Sequence, residues 1–397
     1  MYNMPAGVLQ IQATGSDNVY LTENPEIDIF KYNYFRFVNY AADIMPLELN
    51  STVEFGKKTF VKIEKYGHLL SKLYLHIKLP TLVNNGGTYV SWCDNIGYAI
   101  FSEPIELEIG GVVVDKIYPQ FLDMWDDLSG TKQMGRNMMT LKSDLFSASK
   151  YNATKEVDLL IPIEFWFTKK YNSALPLVSM FSQNVKINFA FREFNQCINY
   201  DGNEPMQVGV IKSQLLAEYI FLDDMILNKY VNNKQTYIME QIQYQGDEVI
   251  AANLSIYNTL LKFNKPCKEL VFACVDIDNY ETNNYFNYGS SVDNGALVEN
   301  ITLLLDGKKR FDNLPEVYYR LIVPDCVHTN IPLKYIYCIP FSLRPEDNQP
   351  TGLININRFT DVTLSLGMRT GNKKCKIYIY GICYNLVTVE NGFLRIS

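Results

Sequence analysis

With 397 residues, the chain is long for a single hydrophobic core and suits two domains of about 150 to 200 residues each. Its 36 Lys and Arg against 43 Asp and Glu leave a formal net charge of −7, the wrong sign for a surface built to neutralise phosphates, so direct nucleic-acid binding drops out of the leading functions. Eight scattered cysteines without a C-x-x-C pair, no basic-then-apolar leader in MYNMPAGVLQ, and no apolar window near the roughly 20 residues of a membrane span point to a soluble intracellular chain with reduced, mostly buried thiols.

In chain order, the first feature is IFKYNYFRFVNY at 29–40, dense in rings in a chain that is 13% aromatic. These rings either pack beneath the first domain or form an arm that docks on neighbouring subunits. The arm reading rests on Phe30, Tyr32, Tyr34, Phe35 and Arg36, residue types that interfaces favour. Strands follow: KTFVKIEKYG from Lys58 and KLYLHIKLP from Lys72 are rich in β-branched and aromatic residues. IELEIGGVVVDK at 105–116 alternates Ile105, Leu107 and Ile109 with Glu106 and Glu108, breaks at Gly110-Gly111 and resumes, which predicts a hairpin with one buried face. PQFLDMWDDLSG predicts a helix from Pro119, with Phe121, Leu122, Trp125 and Leu128 at helical spacing and Ser129-Gly130 as the stop. After the strand VKINFAFREF, the polar run NKYVNNKQT reads as a connector. Further strands come at LKFNKPCKELVFACV, ITLLLDGKKRFD, DVTLSLGM and KIYIYGICYNL. NLPEVYYRLI predicts a second helix, capped by Asn313 with Pro315 in its first turn.

Several segments recur in the same order. FVKIEKYGHLLSKLYLHI from Phe60 resembles LLKFNKPCKELVFACV from Leu260, and the two hairpins are offset by 301 − 105 = 196. LIPIEFWF aligns with CIPFSLRP at 340 − 162 = 178, and VKINFAF with VTLSLGM at 362 − 185 = 177. A common order with one drop in offset is the mark of a duplicated domain in which one loop has shortened. Each copy holds about eight short strands and one helix, so the expected fold is all-β: two tandem eight-stranded jelly-roll sandwiches with short helices in loops. The boundaries read as an arm over 1–45, a first jelly roll over 46–225, a connector over 226–240 and a second jelly roll over 241–397.

No chemistry stands out. The three histidines, His68, His76 and His328, form no paired ligand spacing, so no metal site is expected. Glu106 and Glu108 share a strand face and read as a solvated or interface face rather than an acid/base couple. Asp123, Asp126 and Asp127 read as the polar side of a surface helix, DIDNYE at 276–281 as a loop, and the glycine pairs lack the helix context of a phosphate loop. No catalytic or cofactor-binding residues are expected. Four N-x-S/T sequons, at Asn50, Asn152, Asn253 and Asn300, read as chance matches.

The sequence also resembles the double jelly-roll major capsid proteins of nucleocytoplasmic large DNA viruses. YLTENPEIDIFKYNYFRFVNY is similar to that family's Y-L-T-x-N-P-x-I-x-x-F-K-x-x-Y-x-R signature through Tyr20, Leu21, Thr22, Asn24, Pro25, Ile27, Phe30, Lys31 and Tyr34. ELEIGG at 106–111, YIFLD at 219–223 and YIMEQIQ at 237–243 resemble its first hairpin and inter-domain connection. FSLRPEDNQPTGLININRFTD resembles its F-x-L-x-P-x-x-x-Q-P-S-G-x-x-N-x-S-R motif through Phe341, Leu343, Pro345, Gln349, Pro350, Gly352, Asn355 and Arg358. Departures are Phe35-Arg36 where two arginines are frequent, Thr351 and Asn357 where serine is usual, and short connecting loops.

The resemblance implies a structural protein that forms homotrimeric, pseudo-hexagonal capsomers tiling an icosahedral shell, with no enzymatic activity and no cofactor. It implies neighbouring capsomers, minor capsid proteins and penton proteins as partners, an internal viral membrane as an indirect one, and residence in a virion capsid assembled in the host cytoplasm. Two alternatives stand beside it: a double jelly-roll scaffold that transiently shapes a viral membrane, and a double jelly-roll glycan-processing enzyme.

Overall fold

The computed structural model describes residues 6–26, 28–31, 34–130, 138–142 and 153–396. The chain separates into two units, residues 1–39 and 40–397. In the first, helices α1 (Ala6–Gln12) and α2 (Ser16–Thr22) are each seven residues long and bury no side chain.

Period-two alternation organises the second unit. The strands of the first sandwich are β1 (Tyr40–Leu47), β2 (Lys58–Ile63), β3 (Leu69–Leu79), β4 (Ile105–Ile109), β5 (Val112–Ile117), β6 (Val157–Pro162), β7 (Val185–Ala190) and β8 (Lys212–Leu222). Those of the second are β9 (Gln235–Tyr244), β10 (Ile256–Leu260), β11 (Cys267–Asp276), β12 (Val298–Leu305), β13 (Lys308–Pro315), β14 (Ile336–Pro340), β15 (Val362–Met368) and β16 (Cys375–Glu390). In β4 the Ile and Leu positions are buried and the two Glu half-buried, and β15 alternates in the same way through Val362, Leu364, Leu366 and Met368. Side chains on successive residues point to opposite faces, so this pattern fixes which face meets the core.

The first sandwich has sheets ordered β1-β8-β3-β6 and β2-β7-β4-β5, and the second has β9-β16-β11-β14 and β10-β15-β12-β13. Adding eight to every label of the first gives the second, so the eight-strand frame is repeated in order; outside it, Val90–Trp92 pairs with Ile198–Tyr200 and Thr81–Asn85 with Asn203–Val208 in the first half, and Glu248–Ile250 and Phe393–Ile396 both pair with β16 in the second. The recurring sequence blocks fall on equivalent strands: the hairpins on β4-β5 and β12-β13, the Ile-Pro blocks on β6 and β14, and the Val-initiated blocks on β7 and β15. The offset falls because the connection from β5 to β6, residues 118–156, is longer than its counterpart, residues 316–335. Both hairpin turns take two residues at positive φ, Gly110-Gly111 at 61° and 85° and Asp306-Gly307 at 47° and 74°, the conformation that a tight right-twisted hairpin requires.

The predicted first helix is present as α3 (Pro119–Ser129), followed between β8 and β9 by α4 (Asp224–Asn232). The second predicted helix starts later than its local signals indicate. Asn313 and Pro315 belong to β13, where Leu314 pairs with Ile301 and Pro315 with Asn300. A π-helical turn (Tyr318–Ile322) and then α5 (Val323–Val327) follow, with Pro324 in the first turn. Ladder pairing with β12 outweighs the cap signal at Asn313, whose backbone N–H donates to Thr302 Oγ1 at 2.8 Å. Buried side chains of both sandwiches form one contiguous core. All eight cysteines are free thiols, seven buried and Cys326 exposed. Among the described residues, no helix is long and apolar enough to cross a membrane.

Candidate assembly interface and the seam between sandwiches

The described residues of the arm present exposed apolar side chains. Phe30 is 94% exposed, Phe35 92% and Tyr34 86%, with Tyr20, Leu21, Ile29 and Phe37 in the same condition. Arg36 is also exposed, and Tyr32 lies outside the described residues. Large contiguous or clustered apolar exposure is a mark of binding surface rather than of ordinary solvent-facing chain.

Sheet edges differ in how they are protected. The edge strand β2 carries Lys58 and Lys62, and β13 opens with Lys308, Lys309 and Arg310. Charges of this kind discourage edge-to-edge pairing. Strands β1 and β10 carry no such cations. Tyr40 to Ile44 on β1 are all exposed although hydrogen-bonded to β8, and Ile256 and Leu260 are exposed on β10. Among the described residues, no further strand pairs with either edge.

The seam between sandwiches is built from rings and buried ions. Tyr118 stacks at a tilt on Tyr244 and Tyr380 at 5.1 and 5.4 Å, Phe121 meets Tyr380 edge-on at 5.5 Å, and Trp166 lies 5.7 Å from Tyr237. From α3, the fully buried Asp123 accepts hydrogen bonds from Lys334 Nζ at 2.9 Å, Tyr288 Oη at 2.9 Å and Asn95 Nδ2 at 2.8 Å, and lies 3.2 Å from Lys142 Nζ. Burial alone pushes its pKa up, but Lys142 and Lys334 outweigh that and hold the carboxyl down to about 2. Lys142 also pairs with Asp127, and Tyr98 donates to Asp126 at 2.5 Å. A second ionic bridge joins Lys169 to Glu240 at 2.6 Å, with Lys268 on the other carboxylate oxygen. Isolated buried charges are unstable, so Asp123 and Glu240 depend on their partners, of which Lys334 and Tyr288 reach Asp123, and Lys169 reaches Glu240, across the seam.

Two expectations are corrected: DIDNYE at 276–281 is not a loop but a short helix, Ile277–Glu281, capped by the buried Asp276, and Asp123, Asp126 and Asp127 are buried, not on a solvated helix face. Their partners Lys142, Lys334 and Tyr288 come from distant segments, and three carboxylates within five residues of an otherwise apolar helix were the available signal. Glu106 and Glu108 are held by cross-strand cations, Lys116 at 2.7 Å and Lys186 at 3.4 Å. His68 Nδ1 accepts the Leu222 amide at 2.9 Å, and His76 lies between Asp158 and Gln214. His328, by contrast, is enclosed by Glu269 at 2.7 Å and Glu346 at 3.0 Å. Burial lowers its pKa, but these carboxylates and Cys338 outweigh burial and raise it to about 12. Of the sequons, Asn50 and Asn253 are exposed, Asn300 is half-buried in β12, and Asn152 lies outside the described residues.

Residues 28–223 match the family described as "Major capsid protein N-terminus", and residues 228–394 match "Large eukaryotic DNA virus major capsid protein". The chain is 26% identical over 418 residues to the major capsid protein of Pyramimonas orientalis virus, covering 98% of each. It is 27% identical over 394 residues to that of Paramecium bursaria Chlorella virus 1, covering 92% of this chain and 88% of the relative. Its fold is similar to that of a chain of the PBCV-1 virus capsid, with a TM-score of 0.80 at 23% identity over 93% of this chain and 99% of that one. With a repeated eight-strand jelly-roll frame and family matches along nearly its whole length, the protein belongs to the major capsid proteins of large eukaryotic DNA viruses, structural rather than enzymatic components of the virion capsid.

Proposed function

We propose that this capsid protein assembles as a homotrimer whose six sandwiches make a pseudo-hexagonal tile, and that these tiles cover an icosahedral shell. The observation that carries the proposal is the identical strand order of the two sandwiches in one chain. A hexagonal lattice offers six neighbour directions, and three chains of two like domains supply six similar faces under closed threefold symmetry. The contacts between chains bury on the order of 2,000 Å² or more per pair, the size of an obligate interface. They cover the unprotected edges of β1 and β10, while the arm, through Phe30, Tyr32, Tyr34, Phe35 and Arg36, docks on neighbouring subunits.

Within the chain, the functional division is an arm over 1–39, a first jelly roll from Tyr40, a connector over 223–234 and a second jelly roll from Gln235; the boundaries expected from sequence at 45 and 240 cut through β1 and β9. Minor capsid and penton proteins complete the shell, an internal membrane contacts it indirectly, and assembly takes place in the host cytoplasm. The net charge of −7 fits a shell that leaves the genome to other components.

Light scattering behind size exclusion tests the tile. A stable species of three times the 45.7 kDa chain is the expected result. A folded monomer at micromolar concentration overturns it, and honeycomb sheets on lipid vesicles without closed shells would assign the chain to membrane scaffolding instead.

A further inference from the structure

Three buried side chains of different chemistry converge where the second sandwich meets α3. Glu269 and Cys338 stand on the adjacent strands β11 and β14, where Val271 pairs with Cys338 and Glu269 with Pro340, so both project from one sheet face. His328 reaches them from the C-terminal end of α5, its amide held by the Pro324 carbonyl at 2.8 Å. A carboxylate oxygen, an imidazole nitrogen and the thiol sulfur lie within 4.8 Å of one another. The side chains of Glu269 and His328 are fully buried, as is Cys338.

Two further observations point to a cation. Glu269 Oε2 is buried with no hydrogen-bond partner, an arrangement proteins rarely leave uncompensated. On the far side of the ring, Glu346 Oε1 meets His328 Nδ1 at 3.0 Å and is itself fixed by the Thr329 amide at 2.8 Å. A carboxylate behind a histidine fixes the ring and is the usual outer support of a metal-bound imidazole; Nε2, which here meets Glu269 Oε1 at 2.7 Å, becomes the lone-pair donor once a metal displaces its proton. Trp125 closes the site edge-on, its ring centroid 5.8 Å from that of His328.

We propose that Glu269, His328 and Cys338 bind a divalent cation of the zinc class, with Glu346 as the positioning residue behind the ring. A mixed N, S and O donor set suits a borderline-soft ion, and three protein donors leave one tetrahedral position for water. On coordination, His328 and the Cys338 thiol give up their protons to solvent, and the sulfur binds as thiolate. The metal ties β11, β14 and α5 together beneath the seam.

Cobalt(II) is the probe, offered to the full EDTA-treated chain both folded and during refolding. The expected result is a thiolate-to-cobalt charge-transfer band saturating at one ion per chain, displaced by zinc and absent in Cys338→Ser. Glu346→Gln keeps the stoichiometry and weakens affinity about 10- to 100-fold, as outer-shell losses do. If Cys338→Ser fails to fold, the wild-type spectrum and the Glu346→Gln titration still decide. No band under either loading condition overturns the site and leaves an ion pair only; a band that persists undiminished in folded Cys338→Ser also overturns it, by assigning the metal to another thiol.

Discussion

Asp115 on β5 is a carboxylic acid that accepts a hydrogen bond from the Lys116 amide at 2.9 Å. It is buried, and burial raises its pKa to about 7 against the weaker opposing effects of the Lys116 amide and Lys169. Between the unfolded value of about 4 and the folded value, the native chain keeps a proton that the unfolded chain has released. The sign is therefore unfavourable at high pH: stability falls as pH rises through that window. Asp115→Asn removes this contribution. Urea denaturation at pH 4 should find variant and wild type alike, and at pH 8 the variant more stable by up to a few kcal/mol, since each tenfold change in proton affinity on folding is worth roughly 1.4 kcal/mol. Parallel curves for the two proteins across the range would assign the effect to other groups.

At the scale of elements, the proposed action of the arm and the β1 edge between molecules rather than within one leads to two predictions. Phe30→Ala combined with Tyr34→Ala should leave the melting temperature of the isolated chain unchanged, because neither ring is buried, and should reduce lattice assembly followed by electron microscopy. Ile44→Lys places a charge on the open edge of β1 and should block association while leaving far-ultraviolet circular dichroism intact. Elements with local causes were legible from the sequence: the β4-β5 hairpin from its alternation and glycine pair, α3 from Pro119 and its apolar spacing. Where a long-range partner decided the outcome, local reading failed. Asn313 looked like a helix cap until β12 claimed its neighbours, and Asp123 looked solvated because Lys334 stands 211 residues away. The Glu269, His328 and Cys338 cluster left no spacing signal, since its members meet only once β11 and β14 are paired and α5 is folded back.

For the whole molecule, the seam makes two jelly rolls behave as one body from Tyr40 onward. Their shared core and cross-seam ions predict a single calorimetric unfolding transition. Lys334→Met leaves Asp123 short of one cation in a buried setting, a loss expected to cost about 3–5 kcal/mol and to split the transition in two as the sandwiches uncouple. A wild-type chain that already melts in two steps would refute the coupling. The seam has a mechanical consequence as well. Hinged domains let a building block flex to suit its surroundings, whereas a ring-and-ion weld of this kind keeps the angle between the two lobes stiff. Any curvature in a shell of this protein then falls on the joints between chains, which favours flat facets meeting at sharp creases over a smoothly rounded surface.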